Sequence, residues 1–211
     1  WETSHTSPLE VNARPVGEMR THLRDKWGAF PIDFLPRPLA EMDFPVAPAI
    51  LDFLMEMASH SDLGYLGPIP EMGRSFAAFS QKRWDWVVDP DQVRIATDVG
   101  VGVVEVLRLF TQPGDRVLLN SPIYHNFYTW ITETRLTKVD VPFTETDAGW
   151  TLDLAAVEAE YRSGIKVHLL CNPHNPLGRV YTREELLHMA NLAHEYSVLI
   201  VSDEIHAPLT Y

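Results

Sequence analysis

The stretch IKVHLLCNPHNPLGRVYTREELLHMANLAHEYSVLIVSDEIH, residues 165–206, decides the fold. Two apolar runs within it, 165–171 and 198–204, have the length and composition of buried β-strands. Between them, Thr182 and Glu185 have the spacing of a capping box, which predicts that a helix begins there. Two buried strands joined by a helix form a βαβ unit, so this stretch predicts parallel strands covered by a helix.

The same alternation of strands and helices extends towards the start of the chain. Short apolar runs predict further strands, and apolar residues at helical spacing predict further helices. The predicted strands are 93–97, 117–120 and 137–143, and the predicted helices are 46–59, 71–84, 100–111, a helix after Tyr124, 152–162 and 183–196. The fold class is therefore α/β, with a mainly parallel sheet and helices on both faces. Because the chain stops directly after a strand, we expect it to be truncated.

Composition and charge argue against several classes of function. With 45% apolar and 22% charged residues, a chain of 211 residues can form one domain with a hydrophobic core. The net charge of −12 repels phosphate backbones and anionic membranes, so we expect no binding to nucleic acid or to membranes. A single cysteine, Cys171, excludes an internal disulfide and fits a reducing compartment. We therefore expect a soluble cytoplasmic protein.

Ligands of parallel α/β sheets bind beyond the carboxyl ends of the strands, and the first candidate there is TDVGVG, residues 97–102. This segment follows a predicted strand and opens a predicted helix, where backbone N–H groups favour an anion such as a phosphate. Two alternatives stay open. The glycines can serve close packing, and Asp98 can cap the helix with its own carboxylate.

The second candidate is CNPHNPLGR, residues 171–179, which follows a buried strand. Each proline restricts both its own backbone and that of the preceding residue, so the loop can hold the Asn175 amide rigidly. A plain tight turn is the alternative. Cys171 and His174 also have a spacing seen among zinc ligands, but no second ligand pair lies nearby in the sequence.

The third candidate is SDEIH, residues 202–206, at the end of the last predicted strand. Asp203 lies at the carboxyl edge of the sheet, where a partly buried carboxylate is costly without a partner. A bound heterocyclic cation is one such partner. An Asp that caps the following turn is the alternative.

Taken together, these segments resemble the fold type I pyridoxal-phosphate enzymes of the aspartate aminotransferase superfamily. The resemblance rests on CNPHNPLGRVY (171–181) followed by SDEIH, and four further segments agree in the same order. These are LAEMDFPVAPAI (39–50), LGY (63–65), FTQPGDRV (110–117) and SPIYHNF (121–127). The chain is most similar to the MalY/PatB-type cystathionine or cysteine-S-conjugate β-lyases, to which SDEIH and AEMDF point more narrowly.

The resemblance implies four residues around the ring of pyridoxal 5′-phosphate. Asp203 would pair with the pyridine nitrogen and keep it protonated. Asn175 would hydrogen-bond the ring hydroxyl oxygen, and His206 stands where many relatives carry a tyrosine near that oxygen. Tyr124 would stack on the ring face.

The resemblance also implies contacts to the phosphate, the substrate and a second subunit. The backbone at Val99 and Gly100 matches the turn that receives the phosphate, so the Asp98 side chain has to point away from it. Tyr65 matches a tyrosine that reaches the phosphate of the partner subunit, which implies a homodimer. Ala40 matches the position where the backbone approaches the carboxylate of a small amino-acid substrate.

In this family the Schiff-base lysine lies some tens of residues after the aspartate, so we expect it beyond Tyr211. Residues 1–45 would be an N-terminal arm, part of a small domain, and residues 46–211 the N-terminal portion of the cofactor-binding large domain. The implied function of the complete form is a C–S β-lyase that releases pyruvate, ammonia and a thiol. An aminotransferase is the alternative within the superfamily. A non-catalytic fold fragment without the lysine is the alternative from another class.

Overall fold

The computed structural model describes residues 14–22, 25–37, 40–147 and 149–210, which form parts of two compact units. The units are Trp1–Pro68 and Ile69–Tyr211. Residues 1–13 of the predicted arm, Leu39 and Tyr211 lie outside the described residues. None of the described helices combines the length and the apolar character needed to cross a membrane.

The described residues of the first unit include two short helices, α1 and α2, and one longer helix, α3. Their bounds are Val16–Met19, Asp25–Gly28 and Pro48–Ser59. Met19 and Trp27 are buried, and Arg20 donates to the carbonyl groups of Trp27 and Phe30. In the described part of this unit, backbone carbonyls therefore gather around one arginine.

Where the structure describes the second unit, it contains five α-helices and six strands. The helices are α4 (Pro70–Trp84), α5 (Val99–Phe110), α6 (Asn126–Glu133), α7 (Leu154–Arg162) and α8 (Arg183–Glu195). The strands are β1 (Arg116–Leu119), β2 (Thr137–Asp140), β3 (Phe143–Thr146), β4 (Gly149–Leu152), β5 (Val167–Cys171) and β6 (Leu199–Asp203). Short 3₁₀ turns occupy Pro90–Gln92 and Ala207–Leu209.

Four of these strands form a parallel sheet in the order β2-β1-β5-β6. Every residue of β5 is buried, as expected of a strand covered on both faces. Leu118 and Leu170 point into a core cluster with α7 and α8. Their neighbours Leu119 and Leu169 point into a second cluster with α5 and α6. The predicted α/β class with helices on both faces is therefore confirmed.

The predicted strand at 93–97 is wrong. These residues follow the 3₁₀ turn as irregular backbone, and Ile95 is half exposed. A β-strand exists only when its N–H and C=O groups pair with a neighbouring strand. In the described part of the chain, none of the strands pairs with this segment.

The predicted single strand at 137–143 is correct only in its first part. β2 ends at Asp140, and β3 begins at Phe143 as one arm of an antiparallel hairpin with β4. Pro142 stands between the two strands and lacks the N–H that a continuous ladder requires. The predicted helix at 152–162 begins two residues later, because Leu152 completes β4 and Asp153 caps α7.

Candidate functional site

The loops that follow β1, β5 and β6 meet at one edge of the sheet, because these strands are parallel. At this edge Cys171 pairs in register with Asp203, and the Asn172 N–H donates to the Asp203 carbonyl oxygen at 3.0 Å. Helix α5 leads into β1 and runs against the strand direction, so its first turn lies towards the same edge. A cavity of about 420 Å³ has Asp98, Val99 and Val201 in its lining. This edge, with the segments after β1, β5 and β6 and the first turn of α5, is the candidate site.

The loop after β5 holds Asn175 in a closely hydrogen-bonded backbone. The His174 N–H donates to the Arg179 carbonyl at 2.7 Å, and the Gly178 N–H donates back to the His174 carbonyl at 2.8 Å. The Asn175 N–H lies 3.4 Å from the Cys171 sulfur. These contacts give the rigid loop that the prolines predict, and the Asn175 side chain is half-buried.

The segment after β1 positions Tyr124. The Ser121 N–H donates to the Asp140 carboxylate at 3.0 Å, and the Ser121 carbonyl accepts from the Phe143 N–H at 2.7 Å. Three residues later, Tyr124 is half-buried and its hydroxyl accepts from the Asn126 amide at 2.9 Å. The backbone that leads to the Tyr124 ring is therefore fixed by hydrogen bonds at both the N–H and the carbonyl of Ser121.

Asp203 ends β6 and is half-buried. One of its carboxylate oxygens accepts from the Ile205 N–H at 3.2 Å, which is the turn-capping contact that the sequence left open. Burial raises the pKa of the adjacent Cys171 thiol to about 11, and the negative charge of Asp203 acts in the same direction. His206 follows as the residue that begins the second 3₁₀ turn and is half-buried.

The first turn of α5 is capped by its own aspartate. Asp98 accepts from the Val101 N–H at 2.9 Å, and its carbonyl accepts from the Gly102 N–H at 3.1 Å. The N–H groups of Val99 and Gly100 precede these capped positions and are not satisfied within the helix. A Cβ atom on Gly100 would lie 2.9 Å from the Trp130 indole nitrogen, so packing requires glycine here.

Two histidines, His168 and His174, are buried beside the candidate site. Sequence analysis considered His174 only as a metal ligand and did not single out His168. The His168 Nε2 lies 2.8 Å from the Asn120 Oδ1, and its Nδ1 lies 2.7 Å from the Tyr161 hydroxyl. The His174 Nε2 lies 2.8 Å from the Pro122 carbonyl. The sequence signal for His168 is its place within an otherwise apolar strand, because a buried imidazole needs hydrogen-bond partners.

Tyr65 and Ala40 belong to the first unit, and both are exposed. Their predicted roles at the partner's phosphate and at the substrate carboxylate stay predictions. Within the ranges that the structure describes, no group of three or more His, Cys, Asp or Glu side chains is arranged to hold a metal ion. The Cys171 sulfur and the His174 ring instead contact groups of the protein backbone.

The groups at this edge suit a phosphorylated, cationic heteroaromatic ring. Unsatisfied N–H groups at a helix start favour a phosphate, and a half-buried carboxylate favours a protonated ring nitrogen. An amide on a rigid loop suits a polar ring substituent, and a half-buried tyrosine suits a ring face. Pyridoxal 5′-phosphate carries all four of these features.

Comparison with known proteins supports the same cofactor. The family described as aminotransferase class I and II matches residues 41–211. A Mycobacterium tuberculosis protein, named provisionally as a cystathionine β-lyase, is 37% identical over 96% of this chain and 51% of its own length. The cystathionine β-lyase PatB of Bacillus subtilis is 33% identical over 84% of this chain and 46% of its own.

Among solved structures, cystalysin from Treponema denticola, which contains pyridoxal 5′-phosphate, superposes with a TM-score of 0.82. The two are 27% identical, and the match covers 88% of this chain and 50% of that protein. The chain thus spans about half the length of the relatives it matches. The residues described above and the contents of the matching structure agree on pyridoxal 5′-phosphate as the cofactor.

Proposed function

Because this chain belongs to the aminotransferase class I and II family, we propose that the full-length protein is a pyridoxal-phosphate-dependent C–S β-lyase. The reaction would convert a cysteine S-conjugate or cystathionine, with water, into pyruvate, ammonia and a thiol. The observation that carries this proposal has two parts. Asp203 ends β6 in register with Cys171, from which the Asn175 loop starts, and the first turn of α5 lines a cavity together with Val201 of β6. The similarity to proteins named cystathionine β-lyase favours the lyase over other reactions of the family.

When bound, pyridoxal phosphate withdraws electrons from the Cα atom of an amino acid. The residues of this chain would orient the cofactor and keep its ring nitrogen protonated. Asp203 would hold a proton on the ring nitrogen through a charge-assisted hydrogen bond. The Asn175 amide would donate to the ring hydroxyl oxygen, with His206 near the same atom. Tyr124 would cover one ring face and exclude water from it.

The phosphate would be bound by the N–H groups of Val99 and Gly100, with support from the helix dipole of α5. Asp98 supports this arrangement because its carboxylate is engaged with the Val101 N–H. Ala40 would approach the substrate carboxylate through its backbone. We further propose a homodimer in which Tyr65 reaches the phosphate of the partner subunit, and a cytoplasmic location.

An assay of the full-length protein with cystathionine and with a cysteine S-conjugate tests the reaction. A lyase releases pyruvate, ammonia and thiol in equal amounts without any added keto acid. An aminotransferase instead requires a keto acid such as 2-oxoglutarate and forms glutamate, with little thiol released. Activity that depends wholly on the keto acid would replace the lyase by the aminotransferase. Failure of the purified protein to bind pyridoxal phosphate would overturn both readings.

A further inference from the structure

We propose that His174 is a positioning residue that couples the segment carrying Tyr124 to the loop carrying Asn175. This inference rests on the proposed function, because it concerns how two cofactor-contacting residues keep their relative positions. His174 itself contributes no group to the cofactor in this scheme. It acts through the backbone of both segments.

The first part of the coupling is the local attachment of His174 to its own loop. The side chain is 1% exposed, so the ring has no freedom to turn towards solvent. Its backbone forms a two-way bridge with the 178–179 turn, through the N–H to Arg179 and the carbonyl to Gly178. Asn175 follows directly in the chain, so any shift of His174 moves the Asn175 amide with it.

The second part is a hydrogen bond across the edge of the sheet. The His174 Nε2 lies 2.8 Å from the carbonyl oxygen of Pro122, which precedes it by 52 residues. The Nδ1 lies 3.2 Å from the Cys171 carbonyl. Burial lowers the pKa of the His174 ring, while the contacts to the Pro122 and Cys171 carbonyls act against this effect. A ring with a single N–H hydrogen donates it to one of these two carbonyls. We assign that hydrogen to Nε2, which has the shorter contact.

The third part is the surroundings of the Pro122 carbonyl. The preceding residue, Ser121, is held by Asp140 and by the Phe143 N–H. The Phe143 ring packs edge-on against His174 with 4.7 Å between ring centroids. Loss of the imidazole donor would leave a carbonyl acceptor without its partner two residues before Tyr124. The turn would then adjust, and the Tyr124 ring would move relative to Asn175.

Binding of pyridoxal phosphate to the full-length apoprotein tests the coupling without an activity assay. Replacement of His174 by Phe keeps an aromatic ring but removes the donor, whereas His174→Gln keeps an N–H donor. We expect H174F to weaken cofactor binding by roughly tenfold, the value of one neutral hydrogen bond. The circular dichroism of the cofactor's visible band should weaken as well. H174Q should recover most of both signals.

Thr134→Val is the matched control, because the Thr134 hydroxyl is a buried donor at the far end of α6. It should lower the melting temperature of the apoprotein and leave cofactor binding unchanged. If H174F behaves in the same way, His174 is merely structural and the inference falls. It falls equally if H174Q is as impaired as H174F. Absence of binding by the unmodified protein, measured first, would overturn the proposed function instead.

A measurement on the unmodified protein covers the case in which H174F does not fold. Nitrogen-15 NMR of the histidine rings reports which ring nitrogen carries the hydrogen. We expect His174 to carry a hydrogen on Nε2, and we expect that hydrogen to be protected from exchange with water. An Nδ1–H form, or an Nε2 hydrogen that exchanges rapidly with water, would contradict the bond to Pro122.

Discussion

At the level of single residues, the position and orientation of Asp203 are fixed by the neighbouring strand and turn. It terminates β6 beside the buried Cys171, in register with the end of the neighbouring strand. One carboxylate oxygen caps the next turn through the Ile205 N–H, so the side chain has a fixed orientation. The sequence left open whether Asp203 caps the turn or contacts a ligand. The two do not exclude each other, because the capping contact uses only one of the two carboxylate oxygens.

The proposed role of Asp203 predicts a specific loss in the Asp203→Asn variant of the full-length protein. The amide is nearly the same size but cannot neutralise a protonated ring nitrogen. A charge-assisted hydrogen bond contributes about 1.5–3 kcal/mol, so kcat/KM for thiol release should fall roughly 10- to 150-fold. Steady-state kinetics measures this effect. Asp91→Asn removes the same charge from an exposed turn and serves as the control. Equal activity of both variants would remove Asp203 from the mechanism.

At the scale of single elements, α4 and the 3₁₀ turn at Pro90–Gln92 pack with almost no space between their backbones. A Cβ atom on Gly73 would lie 2.3 Å from the Pro90 carbonyl oxygen and 3.2 Å from its carbon. No side chain occupies such a position without a backbone shift. The glycine is therefore required by packing rather than by a special backbone angle.

This contact predicts that Gly73→Ala destabilises the protein, although alanine is the better helix former by about 1 kcal/mol. Overpacking against backbone costs about 1–3 kcal/mol and outweighs the gain in propensity. Urea unfolding should show a lower free energy of unfolding for this variant. Gly67→Ala is the control, since nothing lies within 4 Å of its Cβ position. An unchanged or raised stability for G73A would show that α4 moves freely away from the turn.

At the scale of the whole molecule, the stability of the fold depends on keeping His168 uncharged. The ring is completely buried in β5, and burial lowers its pKa to about 3. The neutral ring accepts from the Tyr161 hydroxyl and donates to Asn120, which in turn donates to the Val141 carbonyl. This network ties α7, β5 and the segment after β1 together. No member of it is able to take up a proton without loss of a hydrogen bond.

The lowered pKa of His168 determines how the free energy of unfolding changes with pH. An unfolded histidine titrates near pH 6.5, so between pH 6.5 and about 3 the unfolded chain binds one proton more than the folded one. The contribution of His168 is complete above pH 6.5 and is lost as the pH falls. Between pH 7 and 5 the free energy of unfolding should drop by about 2 kcal/mol more than in His168→Gln. Equal losses in both proteins, measured by urea unfolding, would contradict this account.

Much of the second unit could be predicted because its signals are local. The capping box of Thr182 and Glu185 is formed, and β5 and β6 occupy the predicted runs. The carboxyl-edge rule predicts that residues 97–102 and the segments at Asn175 and Asp203 lie at one edge of the sheet, whereas Tyr124 was indicated only by the family resemblance. Their individual roles stay predictions, as do those of Tyr65 and Ala40.

The α/β class, the βαβ unit at 165–206, the family resemblance and the loops that carry the candidate site all follow from the sequence alone. Periodicity, capping and turn residues depend on positions that are close together in the chain, so they can be recognised in the sequence without knowledge of the fold. Only the tertiary structure decided that 93–97 is not a strand, that 143–152 is a hairpin and that His174 meets Pro122. Each of these depends on a hydrogen-bond partner supplied, or not supplied, by another segment, and no local pattern specifies that partner.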